Sequence, residues 1–527
     1  MTGATNVTGL ADVTAFANTL RAEWTKFRTV RGWVLATVAG AVLIVVFGLQ
    51  PGMQGSCGKN GPGSECRPPV GPGGEEVTDS FTFFHQALTG DGSVTARVTG
   101  LTGQLSGGGP DRPRQGVVPW AKAGLLVKAG TGQGSTYAAV MLTGGHGARL
   151  QYDYTHDLAG APGAVPRLVP GVVPGGGTRN EPRWLRLSRS GDTVTGAESA
   201  DGVRWTTIGT ARLAGLPATA QVGLFVTSPQ YTEEVHDGLA SGAMGGPSLA
   251  TGTFDHLTTG DGWTGTAWQP DVIGVRGDGP ATGAESLERT GDVVRLTGSG
   301  DIAPEVAGAG GLGVSISQTL VGTFAGLIVA AVVGCVFVTA EYRRGLVRTT
   351  FLASPGRARV LAAKAAVVGG TMFVTGLVAA AVVVVLGQRV LRSNGVYVHP
   401  APTSTEIRVI VGTAAVLALG AVLALGLGAL LRRGVTAVTA AVVLIVLPYL
   451  LAMTVLPADA ARWLLRVSPA AAFAVQQAAP EYPQVESLYT PVDGYFPLAP
   501  WAGFAVLAGW AAVALTAAAV VLRRRDA

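Results

Sequence analysis

Charge is scarce in this chain: 13% of its 527 residues are Asp, Glu, Lys or Arg, against 48% that are hydrophobic. That ratio excludes a solvated, disordered polymer and fits a chain with a large share of its surface in lipid. Histidine is limited to six residues, with neither HExxH nor His-x-His spacing among them, so no zinc-site motif is present. A phosphate cradle is missing too. Gly58-Lys59-Asn60 has no hydroxyl residue after the lysine, and Leu105-Ser106-Gly107-Gly108-Gly109 has no nucleotide-binding loop to work with. Any ATP and Mg would therefore sit on another chain; no cofactor is expected on this one. The net charge is +5, and the arginines cluster beside apolar runs rather than along a soluble surface, so nucleic acid is not an expected partner. Of the three cysteines, Cys335 lies in an apolar run as a small core residue, whereas Cys57 and Cys66 lie in a Gly/Pro-rich segment. Outside the cytoplasm Cys57 and Cys66 would pair, closing a loop worth roughly 2–3 kcal/mol at best; otherwise they are two thiols.

The hydrophobicity sits in long runs near the start and throughout the last two-fifths of the chain. Trp33–Leu49, Ile316–Ala340, the run from Lys364 to Leu386, Val409–Leu431, Val435–Leu456 and Pro500–Leu522 are each long enough to span a bilayer. Two arginines at a bilayer centre would cost roughly 5–7 kcal/mol, so the second span is expected to end near Ala340, before Arg343 and Arg344. Lys and Arg concentrate at Arg21–Arg31, between Arg343 and Lys364, at Arg432-Arg433 and at Arg523-Arg524-Arg525, which predicts a plasma-membrane protein of six spans with both termini cytoplasmic. Phe16, Leu20, Trp24 and Phe27 recur at helical spacing, so residues 1–31 predict a tail and an amphipathic helix on membrane lipid, with Trp24, Lys26, Arg28 and Arg31 at the interface. Spans one and two occupy 32–50 and the start of 316–527, and Pro448 predicts a kink in span five. Ala458–Gln477 reads as a helix dipping into the outer interface, broken at Ser468-Pro469. No acid or base falls deep in a run, which counts against an ion-coupled transporter.

Between the first two spans, a 51–76 Gly/Pro linker leads into a region of different pattern. Ten short, often alternating runs from Phe81–Phe84 to Thr253–Leu257 are separated by turn residues and contain no helical period. They predict a two-sheet antiparallel sandwich over 77–258, with hairpins at Ser190-Gly191-Asp192 and, as a type I′ turn, at Asp201-Gly202. Residues 259–315 read as a Gly-rich extension or stalk. Ala123–Lys128, Arg183–Asp192, Ala200–Thr206 and Gln221–Val226 resemble the small bacterial form of the concanavalin-like lectin/glucanase sandwich. The resemblance implies an extracellular domain with a glycan as a possible partner. The carboxylate pair a retaining glycosidase needs is not evident, and Tyr152–Asp157 reads as a strand and turn or as a sugar or calcium contact.

The stretch from Glu341 to Phe351, followed by Ser354–Arg359 and Lys364, reads as a short basic helix and hairpin at the membrane face, with Tyr342, Leu346 and Phe351 apolar. Gly420, Ala424 and Gly428 repeat at four-residue spacing and permit close helix approach, within the bundle or between copies. Leu20–Arg31, Glu341–Thr350 with Ser354–Lys364, and Leu522–Ala527 together resemble the permease subunit of ABC-2-type exporters. The resemblance implies a six-span α-helical bundle with a large all-β insert, a second permease copy or homologue, and a separate ATPase. It further implies that the 341–364 loop seats in that ATPase through Glu341, Tyr342, Arg343, Arg344, Gly345 and Arg348, with Arg357 and Lys364 in support. The chain is thus expected to be the non-enzymatic, membrane-spanning half of an ATP-driven exporter of unidentified substrate. The alternative is a membrane-anchored carbohydrate- or cell-wall-binding protein without transport activity.

Overall fold

Lipid offers no partner for backbone N–H and C=O groups, so runs of Ala, Val, Leu and Gly satisfy them within helices. Among the described residues six helices are long and apolar enough to cross a membrane: Arg31–Leu49, Gln318–Arg343, Arg357–Ser393, Thr403–Leu431, Gly434–Thr454 and Pro500–Arg524. They coincide with the six runs, and the chain is a multi-pass integral membrane protein with a β domain. The computed structural model describes all residues except 1–3, 51–66, 107–112, 161–172, 175–181, 238–239, 261–262, 266, 275–284, 308–312, 344, 347–348, 350–351, 353–355 and 525–527. Cys57, Cys66, Arg344, Arg348 and Phe351 therefore lie outside the described residues.

The helices, in chain order, are α1 (Ala4–Thr29), α2 (Arg31–Leu49), α3 (Thr323–Arg343), α4 (Arg357–Val382), α5 (Gln388–Ser393), α6 (Thr403–Leu431), α7 (Gly434–Ile445), α8 (Leu447–Thr454), α9 (Ala458–Val467) and α10 (Pro500–Arg524). A π-turn, Val383–Gly387, joins α4 to α5. The break between α7 and α8 falls where Pro448 cannot donate to the preceding turn. The small-residue stripe lies inside the bundle. A Cβ on Gly420 would come 2.4 Å from Leu327 Cδ1, one on Gly428 2.7 Å from Val338 Cγ1, and one on Gly334 2.2 Å from the Ala421 carbonyl. Between these glycines the Cys335 thiol donates to the Ala424 carbonyl at 3.2 Å. Gly420, Ala424 and Gly428 thus seat α6 against α3 of the same chain.

After α8 the chain makes α9, whose Trp463 is exposed, breaks at Ser468, and turns back as a buried 3-10 segment, Pro469–Gln476. Gln476 Nε2 donates to Thr323 Oγ1 at 3.1 Å and Thr413 Oγ1 at 3.0 Å. A buried amide with two hydroxyl acceptors is satisfied, so this irregular stretch is tolerated within the bundle.

The ten β runs of the sequence all fall on strands of two antiparallel sheets. In the nine-stranded sheet the path is Thr206–Arg212, Thr193–Ser199, Arg183–Ser190, Gly92–Leu105, Ser248–Thr259, Val293–Gly298 and Ser286–Thr290. In the eight-stranded sheet it begins at Thr264–Gly265 and continues through Phe81–Thr89, Thr219–Thr227, Lys122–Lys128, Tyr137–Thr143, Ala148–Tyr152 and His156–Ala159. Val94, Val98, Leu125, Val127, Val140, Leu185, Leu187 and Leu224 fill the space between them. Of the two readings of 259–315, extension or stalk, the pairing favours an extension: as far as Pro304 these residues build the sandwich, because Val294–Gly298 pairs with Ala250–Phe254 and Ile302–Pro304 pairs with Val77–Asp79. One expectation is corrected: Asp201-Gly202 is not a two-residue hairpin turn. The last pair is Glu198 with Thr206, and the longer loop is held by Asp201 Oδ1, which accepts from the Val203 and Arg204 amides at 2.9 and 2.8 Å.

The sandwich sits on one end of the bundle. Val314 bridges Val398 in parallel, His399 Nδ1 lies 2.6 Å from Glu76 Oε2, and the Tyr495 hydroxyl donates to the Ala307 carbonyl at 3.0 Å. A cleft of about 180 Å³ remains at this seam, lined in part by Glu76, Glu305, His399 and Tyr482.

Candidate functional site

The end of the bundle away from the sandwich gathers the basic residues around an ionic cluster. Along α1, Leu20, Glu23 and Phe27 share one face, spaced three and four apart; Glu23 and Phe27 are buried there and Leu20 is half-buried. Phe27 packs edge-on against Phe337 of α3 at 5.7 Å between centroids, and Trp33 packs against the same ring at 4.9 Å. This aromatic contact brings Glu23 to α3 and α4. Lys364 Nζ then lies 2.8 Å from Glu23 Oε2 and 2.6 Å from Glu341 Oε1, while Lys26 Nζ lies 2.5 Å from Glu341 Oε1 and 3.3 Å from Glu23 Oε1. Lys364 also stands 4.9 Å from the Phe337 ring centroid. Two acids and two lysines sum to zero formal charge, and each carboxylate bridges both ammonium groups. Glu23, Glu341 and Lys364 are at most 6% exposed.

Burial alone would lower the Lys26 pKa, but hydrogen bonding and charge from Glu341 and Glu23 outweigh it and raise the pKa. A buried ion left without its partners costs several kcal/mol, so the cluster specifies how three helices meet. Chemically it offers neither a nucleophile nor an open metal position. It fixes α1, the end of α3 and the start of α4 as one unit.

The sequence-selected residues divide accordingly. Glu341 and Lys364, expected on a partner-facing surface, are turned inward; Glu341 pairs with Lys26 and Lys364. Because Glu341 is neutralised there, α3 runs one turn past Ala340, to Arg343. Tyr342 is half-buried, with Arg432 stacked 5.4 Å from its ring centroid. Arg357 Nη1 donates to the Leu522 carbonyl at 2.7 Å, near the end of α10. Arg343 and Gly345 are exposed, and Gly345 adopts φ +69°, a left-handed stop for the helix. Leu346 and Leu352 in the same connection are 46% and 85% exposed. Trp24, Arg28 and Arg31 are exposed on α1 and at the start of α2. Trp33, at the start of the first span, packs on Phe27 and Phe337. Sequence reasoning missed Glu23; its signal was an acid on the apolar face of α1, between Leu20 and Phe27.

In the sandwich, the Tyr152–Asp157 stretch is a strand and turn with internal partners. Asp153 Oδ1 accepts from Thr136 Oγ1 and from the Tyr137 amide at 3.2 Å, the Tyr154 hydroxyl donates to Asp79 Oδ2 at 2.7 Å, and Asp157 pairs with Arg149. Among the described residues no group of His, Cys, Asp and Glu is arranged to hold a metal.

No protein-family model and no curated protein matches the chain. A crystal structure of a functionally unknown protein from Saccharomyces cerevisiae is similar over 35% of this chain and 72% of its own, at 16% identity and a TM-score of 0.17, too low to carry an argument.

Proposed function

We propose that the chain is the membrane-spanning subunit of an ATP-driven exporter of the ABC-2 type, moving an unidentified substrate with energy from a separate ATPase. The observation that carries this reading is the connection between α3 and α4. It exposes Arg343, Leu346 and Leu352 together, while both of its ends are tied through Glu341 and Lys364 to α1. Exposed leucines beside a guanidinium suit docking into a protein cleft better than contact with water. A push on such a connection moves α3, α4 and α1 as a unit, because sliding any of them strands a buried charge. That is the stroke alternating access needs. The concentration of Lys and Arg at this end supports a reading in which it faces the cytoplasm and the sandwich lies outside.

The test is isolation of the full chain from its native membrane in mild detergent. A nucleotide-binding subunit should co-purify and hydrolyse ATP, and Arg343→Glu with Arg344→Glu should remove it while leaving the chain inserted and monodisperse. Recovery of the chain free of any nucleotide hydrolase, or full retention of the ATPase by the double variant, defeats the assignment.

A further inference from the structure

Strand Lys122–Lys128 runs through the middle of the eight-stranded sheet and is buried along its whole length, lysines included. Alternation puts Lys122, Leu126 and Lys128 on the face away from the core between the sheets, the face of Phe81, Phe83, Tyr137, Tyr154 and Phe225. The strap of Val77–Asp79 paired with Ile302–Pro304 packs on this face and brings one acid to each lysine, Asp301 to Lys122 and Asp79 to Lys128. Lys128 Nζ lies 2.8 Å from Asp79 Oδ2, and each of these side chains is 1% exposed. The same oxygen accepts from the Tyr154 hydroxyl at 2.7 Å and from the Gly134 N–H at 2.8 Å. Lys128 also donates to the Ser135 carbonyl at 3.0 Å and to the Tyr154 oxygen at 3.1 Å. Asp79 Oδ1, by contrast, is buried with no hydrogen-bond partner among the described residues.

Three donors thus converge on one carboxyl oxygen and none on the other. A carboxylate kept for its charge alone would divide its donors, because a buried acceptor without one is costly. Donors gathered on one oxygen, with an amine in contact, form instead an oxyanion hole beside a nucleophile. Tyr154 reaches the pair from a strained turn between Ala148–Tyr152 and His156–Ala159. There Asp153 and Tyr154 take φ of 42° and 59°, left-handed values that a bulky side chain rarely adopts.

We propose that Lys128 and Asp79 condense within the folded chain to an intramolecular amide, with Tyr154 and Gly134 as the oxyanion donors. Burial lowers the Lys128 pKa against the opposing pull of Asp79, which favours the neutral amine that a nucleophile requires. Burial and the Asp79 charge raise that of Tyr154, which keeps its hydroxyl a donor. A proton passes from ammonium to carboxylate, leaving a neutral amine and a carboxylic acid. The amine lone pair attacks Cγ, and the carbonyl electrons move onto Oδ2, between the Tyr154 hydroxyl and the Gly134 N–H. Collapse of that intermediate expels Oδ1 as water, together with two of the three ammonium protons. The Nζ–Cγ bond forms, the Cγ–Oδ1 bond breaks, and nothing is oxidised or reduced. Fixed proximity in a dry site takes the place of an activated acid. The product leaves no charge and no orphaned oxygen in the interior. It also ties the strap, from which the chain leads to α2 on one side and α3 on the other, to a central strand of the sheet.

Lys122 is an internal control. Asp301 Oδ1 accepts from Lys122 at 2.5 Å and from the Ile302 amide at 2.8 Å, and among the described residues no hydroxyl reaches it. That pair should stay ionic.

Tryptic digestion of the denatured full-length protein, followed by mass spectrometry, reads the bond. A branched peptide joining Asp79 to an uncleaved Lys128, lighter than its two components by one water, should account for most of the molecules, with Lys122 cleaved normally. Lys128→Arg should lose it. Tyr154→Phe should slow its appearance after a pulse of synthesis by roughly 100- to 1,000-fold. Cleavage after Lys128 and an unlinked Asp79 peptide in the unmodified protein overturn the amide, and that arm needs no variant. An equal link between Lys122 and Asp301, or an undiminished rate in Tyr154→Phe, overturns the oxyanion assignment. None of these outcomes bears on the exporter reading, because no residue of the bundle takes part in the bond.

Discussion

Lys364 is the residue on which the ionic cluster turns. It is 3% exposed and bridges both carboxylates, whereas the Lys26 side chain is 35% exposed and can exchange its partners for water. Removing Lys364 leaves Glu23 and Glu341 facing each other with one half-hydrated cation between them. Lys364→Met should therefore cost about 3–5 kcal/mol, seen as a lower thermal midpoint of the detergent-purified protein, and Lys26→Met clearly less. Converting Glu23 and Glu341 to Gln and Lys26 to Met in the Lys364→Met background should recover most of the loss, since a neutral cluster has no ion to strand. A silent Lys364→Met would mean that the cluster does not hold the helices. At this scale the sequence was misleading in a specific way. It displayed Glu341 and Lys364 as charges at span ends, where partner contact and internal pairing look alike. What separates the readings is a helix 315 residues from Glu341 in sequence, and nothing local to either residue announces it.

At the scale of elements, α3 and α6 approach so closely that carbonyls take the place of side chains. Gly334→Leu would drive its Cβ into the Ala421 backbone, whereas a Cβ at Gly370 on α4 meets nothing within 4 Å. The first substitution should destabilise by about 1–3 kcal/mol or prevent folding, and Gly370→Leu should leave the thermal midpoint in place. Equal effects of the two would show that the helices adjust freely. Spans of this kind were legible because lipid imposes both a minimum length and apolarity on any helix that crosses it. The strands were legible by alternation for a related reason, that one face of each packs on the core between the sheets. Val293–Gly298 was not, because its place depends on pairing with Ala250–Phe254 some forty residues away, and register of that kind leaves little trace in a Gly-rich stretch. The seven-residue connection after Glu198 escaped notice because Asp201 folds it with its side chain, a choice that an Asp-Gly pair alone does not encode.

For the whole molecule, the sandwich and the basic cluster stand at opposite ends of one bundle, so a single orientation decides both assignments. Arg21, Arg28, Arg31, Arg343, Arg433, Arg523 and Arg524 lie at the cluster end, none of them buried. Insertion machinery retains such charge on the cytoplasmic side, so the proposed reading expects the sandwich on the other. Two exposed positions report the outcome: Val203, 80% exposed in the sandwich, and Leu352, 85% exposed in the α3–α4 connection. With the three native cysteines replaced, Val203→Cys should react with a membrane-impermeant maleimide on intact cells. Leu352→Cys should react only after permeabilisation. The reverse pattern would leave the connection where no cytoplasmic ATPase could reach it. The sandwich would then face the cytosol instead of the exterior. The exporter reading would not survive such a reversal.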